Sequence, residues 1–163
     1  MRLAPILLVL AVAAPNAVQA AAPADPLVRS TPVLTQAGAH AALEAAERFS
    51  RQAGNPAAIA VVDADGVLLA FDRMDGVRAG SGDLAIGKAR TAALLQRPTE
   101  ELEENVGKGR VGLATVGLTA LRGGAPLKAG GVVVGAVGVA GFKKENDAAA
   151  AAAVAAVDLG AAP

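Results

Sequence analysis

From Ala57 to Gly76 the chain reads AAIAVVDADGVLLAFDRMDG, two apolar runs separated by one polar turn and closed by a charged one. Ala57, Ile59 and Val61 alternate with Ala58, Ala60 and Val62, so both faces of the first run are apolar, which predicts a core strand covered on both sides. Asp65-Gly66 is the dipeptide that supplies positive φ in a tight hairpin turn, and Val67 to Phe71 then returns as a second, antiparallel strand. The return strand ends in Asp72-Arg73-Met74-Asp75-Gly76, where charge and a thioether meet a turn glycine. Strand ends of this kind commonly carry function.

The flanking pattern is helical before the hairpin and mixed after it. Thr35 is positioned to cap a helix ending near Gly54, with Leu43, Ala46, Phe49 and Ala53 on one stripe and His40, Glu44, Glu47 and Arg51 on the other. Beyond the hairpin, Ser81 caps a second helix that carries Asp83 in its first turn and is stopped by Pro98; Thr99, Glu100 and Glu101 start a short third helix ending before Gly107. Val111 to Leu118, Pro126 to Lys128 and Val132 to Val139 read as three further strands, and Asn146 or Asp147 caps an alanine-rich helix through about Val157. The last strand carries Gly135 and Gly138, followed by Gly141, and glycines inside a strand imply that a helix, a partner subunit or a flat ligand comes close to the backbone. Helix, hairpin, two helices, three strands and helix together define an α+β fold with a sheet of about five antiparallel strands flanked by helices.

The first twenty residues follow a different rule. Arg2, an apolar run from Ile6 to Ala14 and the small-residue motif Val18-Gln19-Ala20 form a secretory signal peptide cleaved near Ala20, too short in its apolar part to span a bilayer. The chain is thus expected to be periplasmic or secreted, with no transmembrane segment after cleavage. Residues 21–34 form an Ala- and Pro-rich flexible lead-in, and 35–160 a single domain. The 163 residues carry 15 basic and 15 acidic side chains, two per cent aromatics and no cysteine. There is no basic field and no stacking platform for nucleic acid, and cysteine-based metal, redox and disulfide chemistry is excluded.

Candidate chemistry concentrates on the second helix and the hairpin end. Leu84, Lys88, Thr91 and Leu95 share one helical stripe, so a cation and a hydroxyl interrupt an apolar seam. A buried lysine needs a partner; either Lys88 snorkels or pairs with an aspartate near the hairpin, or Lys88 and Thr91 line a site. Gly82 to Lys88 matches a phosphate loop except at its last position, where Ala89 replaces the hydroxyl that holds magnesium, and the lysine lies inside a helix rather than opening it. His40 is the chain's one histidine and falls on a charged, solvated face.

IAVVDADGVLLAFDRMDG, then IGKARTAALLQRPT, then RGGAPLKAGGVVVGAVGVAG, in this order and spacing, resemble the GlcG/HbpS-type haem-binding family, the haem-degrading domain also found fused in PduO-type proteins. The resemblance spans about Thr35 to Gly160. It implies profilin-like α/β/α layering, self-association into homo-oligomers and, for some members, binding or slow degradation of haem. Two positions depart from the family pattern: Ala140 stands where a small hydroxyl residue is usual, and Asn146-Asp147 where Gln-Asp is usual.

Iron in haem is held by His, Cys, Met or Tyr, of which the mature chain offers His40 and Met74; with His40 on the solvated face, Met74, and Thr91 as a weak oxygen ligand, are the metal candidates. Arg73 suits a propionate or another carboxylate. Arg73, Met74, Lys88 and Thr91 are accordingly the candidate haem-binding residues of one shallow face. Two other readings stand beside this one: an enzyme or binding protein for a small organic acid, in which Lys88 has a depressed pKa, and a sensory or interaction module built on the glycine-rich strand and alanine-rich helix.

Overall fold

The computed structural model describes residues 30–141, 143–156 and 159–160. The expected signal peptide, most of the expected lead-in and the predicted end of the last helix at Val157 lie outside the described residues. Helix α1 (Gln36–Gln52) is followed by strands β1 (Ala58–Asp63) and β2 (Leu68–Arg73), helices α2 (Ser81–Leu95) and α3 (Thr99–Gly107), strands β3 (Gly124–Ala129) and β4 (Val132–Ala140), and helix α4 (Lys144–Ala155). The strands form one antiparallel sheet in the order β2-β1-β4-β3.

Four strands, not five, make the sheet. Val111–Thr115 within the expected fifth strand is a 3-10 helix with no buried residue. Gly112 and Gly117 interrupt the run, Gly117 with φ of +75°, and its valines face outward. An apolar run without a covered face has nothing to hold it extended.

The two-faced apolar reading of β1 accounts for the layering. Ala57, Ile59 and Val61 join Leu43, Ala46, Leu127, Val137 and Val154 in a core under α1 and α4. Ala58, Ala60 and Val62 join Ala85, Ala89, Ala92 and Ala136 in a second core under α2. Thr35 caps α1 as its side chain predicts, accepting a hydrogen bond from the Gly38 N–H at 3.1 Å. The β1–β2 turn is tied from within: Asp63 Oδ1 accepts from the amides of Asp65 and Val67, and Gly66 has φ of +82°.

The close approach that the β4 glycines imply is made by α2 at Gly138, and by the Val62 carbonyl of β1 and Leu34 at Gly135. A Cβ placed on Gly138 would collide with the Ala85 carbonyl and lie 2.6 Å from the Ala89 nitrogen. With alanines at 85, 89, 92 and 93 toward the sheet, helix and strand meet backbone to backbone. On the other side of β4, β3 is an outer strand whose outward row is blunted. The Gly124 N–H donates to Thr99 Oγ1 at 2.9 Å, Pro126 has no N–H, and the Lys128 carbonyl accepts from Leu159 N–H at 3.2 Å.

Candidate functional site

One end of the sheet gathers the candidate chemistry. β1 begins there and β2 and β4 end there, Ala58 standing opposite both Arg73 and Ala140. The chain leaves β2 to start α2 and leaves β4 to start α4 from this same end.

Lys88 is the centre of the buried chemistry, and its partner is not a hairpin aspartate. Its ammonium donates to the Val139 carbonyl at 2.7 Å and to Asp147 Oδ2 at 3.3 Å, with Lys88 4% and Asp147 3% exposed. Asp147 Oδ1 accepts in turn from the Gly141 N–H at 2.8 Å and from Asn55 Nδ2 at 3.1 Å, while Asn55 Oδ1 accepts from the Lys143 N–H at 3.2 Å. One carboxylate thus joins α2, the end of β4, α4 and the α1–β1 connection. Gly123, at φ of +111°, leaves the space: a Cβ there would lie 3.0 Å from both the Lys88 ammonium and Asp147 Cβ.

Burial lowers the Lys88 pKa below its ordinary value, and the attraction of Asp147 opposes that shift only in part. Between the lowered folded-state pKa and the ordinary 10.5, the folded protein binds fewer protons than the unfolded chain, so raising the pH favours folding. Below that window the full cost of burying the charge is present. Thermal melts taken at rising pH should therefore show wild type gaining stability relative to Lys88→Met as the pH approaches 10.5. A difference that stays flat or shrinks contradicts this origin.

The four residues singled out from sequence do not form one open face. Arg73, the last residue of β2, is exposed, and its Nη1 donates to the Val77 carbonyl at 2.8 Å, fastening the 74–80 loop. Met74 is 7% exposed, and its sulfur accepts from the Ala57 N–H at 3.3 Å. Thr91 is 2% exposed, and its Oγ1 accepts from the Thr119 N–H at 2.8 Å, docking the 116–123 segment onto α2. Arg73 and Met74 are neighbours at the strand end and Lys88 and Thr91 share a face of α2, but each of the three buried side chains is already engaged by protein. His40 lies exposed on α1.

Sequence reasoning missed Asp147 and Asn55 as network members. Asp147 was legible only as an expected cap of α4; the helix starts three residues earlier, at Lys144, which turns Asp147 inward within the first turn. Ser81 was expected to cap α2 and does not. Gly80 precedes it in helical conformation, and the carbonyls of Arg78, Ala79 and Gly80 already accept from Ser81, Gly82 and Leu84.

A single antiparallel sheet between α1/α4 and α2, with a buried lysine–aspartate pair at one end, defines a small three-layer α+β domain. The family model for haem degrading protein HbpS-like matches residues 34–156, and the chain belongs to that family. It is 40% identical to protein GlcG of Escherichia coli K12 over 108 residues, 66% of this chain and 81% of GlcG. Among solved structures, a double mutant of Streptomyces reticuli HbpS superposes with a TM-score of 0.72 at 36% identity, covering 87% of this chain and 97% of that one. The PduOC–haem complex superposes with a TM-score of 0.69 at 27% identity, covering 77% and 94%.

Proposed function

We propose that this protein binds haem and does so outside the cytoplasm, after removal of residues 1–20. What carries the reading is the likeness to the PduOC–haem complex over 77% of the chain, within a family described as haem degrading. The early Arg2, the apolar run and the Val18-Gln19-Ala20 motif support the location. The role it serves, sequestration, sensing or slow degradation, belongs to the same proposal.

Met74 and Thr91, as packed, do not fit axial ligation. The Met74 sulfur is taken up by the Ala57 amide and the Thr91 hydroxyl by the Thr119 amide, both away from any open surface. The carboxylate side fits better, because Arg73 spends one nitrogen on Val77 and keeps the rest of an exposed guanidinium for a propionate. A haemin titration followed at the Soret band should be saturable, weakened several-fold by Arg73→Ala, and unmoved in wavelength by Met74→Leu or Thr91→Val. A response that never saturates removes the proposal.

Self-association is part of the same reading. Leu94, Val111, Val116 and Leu121 are exposed large apolar side chains at the end of α2 and in the 111–121 segment, at 58, 67, 59 and 42%. Exposed apolar side chains of this size, where they form a continuous patch, mark interaction surfaces. Sedimentation velocity should find an oligomer, which Val111→Glu combined with Val116→Glu shifts toward monomer; a monomeric wild type contradicts it.

A further inference from the structure

At the start of α2 a groove of about 470 Å³ is lined by Arg78, Gly80, Ser81, Leu84 and Gly141. We propose that it is a binding site for a carboxylate, held by the Ser81 hydroxyl and the amides that open α2, with the apolar body of the ligand against Leu84. The site goes beyond haem binding and stands whether or not haem is the molecule that brings the carboxylate.

The Ser81 hydroxyl is the observation that singles out this helix end. Ser81 is 9% exposed, so more than nine-tenths of the residue is buried, yet its side chain makes no cap and no other hydrogen bond to protein among the described residues. Nor is the oxygen sealed in. Ser50 Oγ is the one side-chain polar atom among the described residues that is both fully enclosed and unpartnered, so the little surface Ser81 retains includes its hydroxyl, and Ser81 lines the groove. A nearly buried donor left without a partner in the protein is costly unless a ligand or water takes it.

The surroundings suit an anion. Helical hydrogen bonding begins before Ser81, with the Arg78 and Ala79 carbonyls already accepting from Ser81 and Gly82. The orphan donors of the helix are therefore pushed back to Ala79 and Gly80, whose amides donate to no protein acceptor among the described residues. Fifteen residues of α2 stand behind them, and the positive end of the helix dipole lies at the groove. Arg78 adds a guanidinium to the lining. Asp83 is the opposing charge in the first turn; it lies two positions beyond Ser81, a spacing that places it well round the helix from Ser81. Arg73 contributes indirectly, because its bond to the Val77 carbonyl fixes the loop that delivers Arg78 and Gly80.

The class of ligand follows from size and lining. The volume falls in the range of small-molecule sites, and the rest of the lining is Gly141 and the exposed Leu84, one turn beyond Ser81 on the same helix. That arrangement takes a short aliphatic carboxylic acid or the propionate arm of a larger molecule.

The test uses propionate as probe on the 15N-labelled protein. Saturable amide shifts are expected at Ala79, Gly80, Ser81 and Gly141, with a dissociation constant of about 1–10 mM. Ser81→Ala should weaken binding about tenfold, the loss of roughly one hydrogen bond to a charged group, and Ser81→Thr should retain it. Shifts that are absent, or spread evenly over the surface, or unchanged in affinity by Ser81→Ala, overturn the site. Haemin and its dimethyl ester then separate the sources: displacement of propionate by haemin but not by the ester assigns the site to a haem carboxylate, and propionate that stays bound beside haemin assigns it to a free acid. A saturable Soret response without propionate shifts would sink this site and leave haem binding intact; propionate shifts without a Soret response would do the reverse.

Discussion

Asp147→Ala is expected to cost about 3–5 kcal/mol of stability, the usual result of removing one partner of a buried charge pair. The substitution leaves the Lys88 ammonium, 4% exposed, with the Val139 carbonyl as its remaining hydrogen-bond acceptor among the described residues, and strips the acceptor from the Gly141 N–H and from Asn55 Nδ2. For a domain of this size that corresponds to a fall in Tm of about 10 °C or more. Asp147→Asn separates the two losses. An amide oxygen can keep both N–H donors satisfied while leaving the lysine charge uncompensated, so the charge alone accounts for what Asn costs. Adding Lys88→Met to Asp147→Asn should then recover stability, because an apolar side chain of similar length no longer needs a counter-charge. Urea unfolding of the wild type, the two single variants and the double variant gives the cycle, and a double variant whose loss equals the sum of the two single losses would show that the pair is not coupled.

Gly138→Ala is expected to be nearly as damaging, by a different physics. The added methyl meets backbone, the Ala85 carbonyl and the Ala89 nitrogen, rather than a flexible side chain. Neither can yield without moving the whole of α2 away from β4, and overpacking of this kind costs about 3 kcal/mol or more. Displacing α2 would loosen Ala58, Ala60, Val62 and Ala136 at once, since all pack in that core. By contrast Gly54→Ala meets no atom within 4 Å and is penalised only through its φ of +58°. Measured side by side, the Gly138 variant should lose at least twice the stability of the Gly54 variant; equal losses would show that helix and strand are not in backbone contact.

How far a sequence discloses such features depends on whether they are local. The hairpin, the Thr35 cap and the two-faced burial of β1 are set by residues within a few positions of one another, and each appears in the structure where the pattern puts it. The glycines of β4 announce a close approach, and at Gly138 α2 makes it. What the pattern could not supply is pairing across the chain. The stripe Leu84, Lys88, Thr91, Leu95 says that a lysine enters an apolar seam, but its partner lies 59 residues away on another helix, and no local period points to it. Ser81 shows the converse: its type and place predict a cap, but the preceding turn starts the helix early and leaves the hydroxyl for the groove. The segment 111–118 misled because apolar content and glycine punctuation look alike in a strand and in an exposed loop that rests on α2 through Thr119. The expected signal peptide and its expected cleavage near Ala20 lie outside the described residues.

The treatment of β3 limits how copies of this domain can meet. With its outward donors taken by Thr99, removed at Pro126, and its Lys128 carbonyl occupied by Leu159, that margin offers no template for a further strand. Only β2, at the other margin, remains for pairing. A pair formed at β2 would thus carry the partly blunted β3 margin at both of its ends.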